Sequence, residues 1–133
     1  MDRIVFYDSW QMECCGMAFS TGDRVKWLVC QAGEMTAPSV DLGRIDYCYE
    51  AHSADWKSLF VLEGKVRTIQ ILYLRYEPDA DDPRLLVLVS GETVEAKTAE
   101  GFEKRNGMEA SGYIVGLTGA FIRPAMQQEV TFQ

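Results

Sequence analysis

The chain has 133 residues, 47% of them hydrophobic and 25% charged, which is the size and make-up of one ordinary globular domain spanning residues 1–133. Twenty acidic against 13 basic residues leave a net charge of -7. No basic cluster exceeds Lys104-Arg105, so nucleic acid, a polyanion held by Lys and Arg, is not an expected partner, and an anionic membrane surface is disfavoured by the same argument.

In chain order, Ile4-Val5-Phe6-Tyr7 reads as a first strand, because β-branched and aromatic residues suit a pleated, half-buried surface. The next stretch, from Asp8 to Phe19, has neither a helical nor a strand period and reads as a structured connection. Ser20-Thr21-Gly22-Asp23 is a turn signal and feeds a strand at 25–30, with Val25, Trp27 and Val29 on its core face. Residues 31–43 form a long connection of the kind that often carries function.

At 45–50 the pattern alternates cleanly, with Ile45, Tyr47 and Tyr49 opposed to Asp46, Cys48 and Glu50, as in a strand buried on one side. One helical turn is expected within 53–60, with Ser53 as its cap. The longest strand runs over 65–76. Its apolar parity changes between Ile71 and Leu72, which predicts a bulge or bend there. An acidic turn at 77–83 leads to Leu85-Leu86-Val87-Leu88-Val89, apolar on both faces and expected to be central in the sheet. A ragged hairpin around Ala99-Glu100-Gly101 and a turn at Asn106-Gly107 precede the last strand, 113–122. The tail after Pro124 is expected to be loosely held.

Six strands with at most one short helix predict an all-β fold, a small antiparallel barrel or sandwich of SH3-like or OB-like type. Trp27, Ile45, Tyr47, Val87, Val115 and Leu117 are the expected core, so truncating Trp27 is expected to unfold or badly weaken the domain. No apolar stretch approaches ~18 residues, and Met1–Asp8 lacks the basic start and long apolar run of a signal peptide. A cytoplasmic location follows, with Cys14, Cys15, Cys30 and Cys48 expected as thiols.

Two function classes fit these residues. The first is a non-catalytic binding or interaction module with a protein or small-molecule partner and no cofactor. It would use Trp10, Gln11, Cys14, Cys15, His52 and Trp56, since tryptophans in aperiodic segments favour contact surfaces. The second is a thiol- or metal-dependent protein centred on Cys14, Cys15 and His52, with Cys48 as a further ligand to zinc. The spacing is poor for zinc: neighbouring side chains on a strand face opposite ways, and no Cys-x-x-Cys is present. His52, the sole histidine, is also the sole candidate base for a cysteine nucleophile, and it is expected to lie near Cys14 or Cys15. Asp79, Asp81 and Asp82 lack calcium-loop spacing and read as a solvated turn.

The run Asp8-x-Trp10-Gln11-Met12-x-Cys14-Cys15-Gly16-x-x-Phe19-x-x-Gly22-Asp23-x-Val25-x-Trp27 resembles the opening of a bacterial family of uncharacterised small proteins. Tyr49-Glu50-x-His52, Gly64-Lys65-Val66-Arg67 and Gly112-Tyr113-x-Val115 are similar to that family's later pattern. Met17-Ala18 stands where the family has a small residue and proline, and Ala51-His52 where it often has two histidines. The resemblance implies kinship and carries no activity.

Overall fold

The computed structural model describes residues 2–14, 16–32, 43–50 and 55–129. In chain order they form β1 (Arg3–Asp8), α1 (Ser9–Cys14), β2 (Phe19–Ser20), β3 (Arg24–Gln31), β4 (Tyr47–Tyr49), a 3-10 turn at Trp56–Ser58, β5 (Phe60–Pro78), β6 (Leu86–Ala96), β7 (Thr98–Ala99), β8 (Lys104–Arg105), β9 (Met108–Pro124) and a 3-10 turn at Gln127–Glu129. The fold is all-β, as the sequence predicts. The main sheet runs β6-β5-β3-β4-β1-β9-β8, and β5 also pairs with β9, so the sheet closes partly into a ring. The expected antiparallel arrangement holds for every described pair except β1 and β4, which are parallel and make the sheet mixed. No described helix is long and apolar enough to cross a membrane.

Period-two alternation fills the ring. Val5 and Tyr7 from β1, Val29 from β3, Leu62, Val66, Ile69 and Ile71 from β5, and Tyr113, Val115 and Leu117 from β9 form one buried cluster. A smaller cluster of Phe6, Leu72 and Ile114 packs on the outer face, with Ile4, Ile45, Cys48 and Leu74 around it. The outer cluster explains the parity change at Ile71–Leu72: these neighbours face opposite sides, and both sides are buried. The irregularity that moves the inward set from Val66 to Ile69 lies earlier, where the β9 pairing shifts between Val66 and Thr68 and leaves Arg67 as the extra residue.

Several expectations need correction. Val87 is not core. β6 is an edge strand, and beyond Tyr73 it pairs only with β5, as a two-stranded arm on which Leu85, Leu86, Val87 and Val89 are exposed. The apolar run at 85–89 therefore marks a protruding arm, not a central strand. Trp27, Ile45 and Tyr47 are half-buried, whereas Val115 and Leu117 are buried as expected. Beyond Pro124 the chain is docked: Ala125 is buried and donates its N–H to the Leu59 carbonyl, and Arg123 forks onto Glu129 at 2.7 and 2.6 Å. The long connection is described only at its ends, and Ser53 lies outside the described residues; the helical turn of that region is the 3-10 turn at Trp56–Ser58.

The turn chemistry follows the sequence closely. Asn106 and Gly107 have φ of 50° and 77°, the left-handed pair that a two-residue hairpin between Arg105 and Met108 requires. Tyr113, with its ring buried, holds the preceding irregular stretch. Its hydroxyl donates to Glu103 at 2.5 Å and accepts the Gly101 N–H at 3.0 Å.

Two outcomes are expected. Leu117→Ala should cost about 2–5 kcal/mol in urea unfolding, while Val87→Ala should stay within about 0.5 kcal/mol of the parent. The Arg123 guanidinium holds the Glu129 carboxyl down at about 2, below its ordinary range. A carboxyl with a depressed folded pKa stabilises the fold above its unfolded pKa and loses that effect as pH falls through the folded one. The clip at the end of β9 should therefore persist at neutral pH and weaken as pH drops from about 4.5 towards 2, with the Glu129 carboxyl carbon titrating late by NMR.

Candidate functional site

Within the segment that lacked a period lies a helix too short to show one. α1 has six residues, under two turns, so a 3.6-residue pattern cannot repeat in it. Its faces are nonetheless distinct. Ser9 and Met12, three apart, are buried, while Trp10 and Glu13 point outward. Gln11 is only 1% exposed, and its amide Nε2 donates to the Tyr49 carbonyl at 3.0 Å. Leu28 accepts the Glu50 N–H and Asp46 accepts the Ala32 N–H, so residue 49 turns its own carbonyl away from β3, towards β1. The pairing of β1 with β4 ends at Phe6 and Cys48, and beyond it Gln11 supplies a donor to this carbonyl.

Gly16 is required by close approach. Its N–H donates to the Gln11 carbonyl at 2.8 Å, and a Cβ on it would collide with the Tyr7 hydroxyl and the Met12 backbone. The glycine brings the chain back across Tyr7 into Phe19, which is buried.

This return builds an aromatic cleft. Tyr7 of β1 stacks on Tyr49 of β4 with ring centroids 3.8 Å apart and planes 12° from parallel. Trp27 of β3 meets both edge-on, at 5.4 and 6.0 Å, and Phe19 of β2 sits 5.1 Å from Trp27. Parallel pairing of β1 with β4 and antiparallel pairing of β4 with β3 set Tyr7, Tyr49 and Trp27 on one inward face. The cleft between these rings and Gly16–Phe19 measures about 470 Å³, and Asp23, Arg24 and Lys26 stand on its rim. A second hollow of about 380 Å³ shares Lys26, Trp27 and Tyr49 with it. Arg24 makes no ion pair among the described residues, and Lys26 makes a loose one to Glu63 at 3.9 Å.

Residues 1–119 match the model of a family of unknown function, DUF6578. The chain belongs to this family. No curated protein and no solved structure matches it. The match is to a family without an assigned role, and it spans every element that builds the cleft.

Of the site residues expected from sequence, Gln11 adjoins this cleft through Tyr49 and acts from below it as a strut. Trp10 is 52% exposed on the outer side of α1. Trp56 packs elsewhere, with Leu59, Val61, Ala125, Leu28 and Cys30, under the Lys57 ammonium at 5.9 Å. Cys15, His52 and the Cys14 side chain lie outside the described residues, as does the expected proximity of His52 to the two thiols. Among the described residues no group of three or more His, Cys, Asp or Glu could hold a metal ion. Sequence reasoning put Tyr7 and Tyr49 on strands and Phe19 at the end of the aperiodic stretch without assigning any of them to a site; the strand parity of Tyr7 and Tyr49 was the available signal.

Gln11→Leu would leave the Tyr49 carbonyl without that donor and is expected to cost about 1–3 kcal/mol in equilibrium unfolding. Gly16→Ala should be comparably destabilising, whereas Trp10→Ala should stay near the parent.

Proposed function

We propose that the protein is a binding module whose ligand site is the aromatic cleft beside α1, and that it takes a flat, largely apolar small molecule bearing a negative charge. The observation that carries this reading is the convergence of Tyr7, Phe19, Trp27 and Tyr49, from four separate strands, on one open cleft of about 470 Å³. Binding sites for small molecules are concave and mostly apolar, with a few placed polar groups. The rim supports the sign of the charge. Arg24 and Lys26 outnumber Asp23 there, in a chain whose net charge is -7. The carboxylate of Asp23 is already engaged, accepting the Ser20 N–H at 2.8 Å. Stacked rings offer a flat ligand a face or an edge, and half-buried Trp27 supplies the largest apolar wall.

The groove along the arm is larger, about 570 Å³, but is lined by Arg75, Glu77 and the Asn106–Ser111 hairpin and lacks an aromatic floor of this kind.

A Trp10→Phe, Trp56→Phe variant leaves Trp27 as the sole tryptophan and hence as an optical reporter of the cleft. Titrated with anilinonaphthalene sulfonate, a flat aromatic anion, it should show saturable one-to-one quenching of Trp27. Arg24→Ala with Lys26→Ala should weaken that binding about tenfold, equivalent to ~1.4 kcal/mol. Quenching that never saturates, or that ignores both rim substitutions, would refute the reading.

A further inference from the structure

Cys30 of β3 and Cys48 of β4 stand directly opposite each other as Cα partners in an antiparallel pair, and both carry thiols. Both are half-buried, so solvent reaches them in part. They lie on the outer face, opposite to Val29 and Tyr49, which share the inner core. Cys30 packs with Leu28, Leu59 and Trp56, and Cys48 with Phe6, Leu72 and Ile114, so the two thiols meet where the two outer clusters adjoin.

The hydrogen-bond pattern defines the pair further. Glu50 donates to Leu28 and Ala32 to Asp46, and bonded pairs in an antiparallel ladder recur every second residue. Cys30 and Cys48 therefore form a bonded pair, with Cα atoms about 5.5 Å apart. That separation is within the range that a disulfide spans. The Cβ atoms of such a pair sit at the long end for a disulfide, so a bond there carries strain and is readily reduced.

We propose that Cys30 and Cys48 are a reversible disulfide site that closes by exchange with a small-molecule disulfide of the glutathione type. The thiolate of one cysteine attacks the small disulfide, forms a mixed disulfide and releases one small thiolate. The second cysteine, deprotonated, attacks the protein sulfur of that mixed disulfide and releases the second small thiolate. The protein loses two electrons and two protons, and the small disulfide becomes two thiols. The product staples β3 to β4, the strands that carry Trp27 and Tyr49.

The surroundings set the rate. Burial first, then Cys30, Asp8 and Glu50, push the Cys48 thiol up to about 11, and burial with Glu50 raises Cys30 as well. The attacking thiolate is therefore scarce at neutral pH, and closure is slow there and faster in mild alkali.

The test treats the full folded chain with oxidised glutathione at pH 7 and pH 9, quenches by acid, and maps disulfides by mass spectrometry without reduction. A Cys30–Cys48 linked peptide is expected, formed several-fold faster at pH 9 and lost on adding dithiothreitol. Near-UV circular dichroism should remain native. The Cys14→Ser, Cys15→Ser variant should give the same link, and the parent in strong denaturant should give scrambled pairs instead. Should Cys30 and Cys48 stay open to alkylation, stop as separate glutathione adducts, or pair with Cys14 or Cys15 in the folded parent, the proposal is overturned.

Discussion

The long antiparallel pairing of β5 with β9 is the constraint on which the rest depends. Fully extended, the 19 residues of β5 would reach about 60 Å, while a chain of this length folds to roughly 35 Å across. A strand so long has to bend, and it bends where its register slips. The β5–β9 ladder shifts between Glu63 and Lys65, between Val66 and Thr68, and between Leu72 and Tyr73. The first shift places an extra residue on β9 around Gly119, whose φ of 60° suits glycine, and the second places Arg67 on β5. With β5 curled in this way, its first part pairs with β3 and its second with β6, so one strand serves both the ring and the arm.

Closing the ring through β3, β4 and β1 then creates the cleft. β4 has only three residues, and the β1 chain turns away at Ser9, so beyond Val5 and Val29 the inward face of this corner has less aliphatic filling than β5 and β9 supply. Four aromatic rings occupy it instead. Edge-to-face and offset contacts let such rings pack at centroid distances of 5–6 Å without the close interdigitation of aliphatic side chains. The corner is held from outside the sheet by Gln11 and by Gly16 beneath the Tyr7 hydroxyl. A binding role for the cleft, as proposed, would thus draw on the same residues that hold the ring together.

Much of the fold was legible because period-two alternation reports the burial of faces. The strands expected at 4–7, 25–30, 65–76 and 113–122 all lie within observed strands; Tyr47 and Tyr49 face inward as the pattern at 45–50 implies, whereas Ile45, expected on the same face, packs with Cys48 against the outer cluster. Alternation does not report what stands beside a strand. Leu85–Val89 is as apolar as a central strand, and its place on an edge depends on β9 pairing with β5 only as far as Tyr73, which no local pattern encodes. The parity change at Ile71–Leu72 has two sources: both faces of β5 are buried there, and a register shift with the extra residue on β9 follows directly, between Leu72 and Tyr73.

The site was less legible than the fold, and the run from Trp10 to Gly16 shows why. Unusual residues drew attention there, and three that the structure describes do something local. Met12 fills the core beneath Gly101, Gln11 completes the hydrogen bonding of β4, and Gly16 makes room for a hydroxyl. A short segment that must turn a corner and also satisfy the backbone groups of a neighbouring strand places specific demands on nearly every position. Those demands account for the distinctive residues at positions 11, 12 and 16. The cleft itself is made of residues with ordinary strand neighbours, Tyr7 after Phe6 and Tyr49 after Cys48, whose convergence appears only once β1 and β4 are paired. In this fold, distinctive local sequence marks the support, and the concave surface is assembled from positions that look unexceptional one at a time.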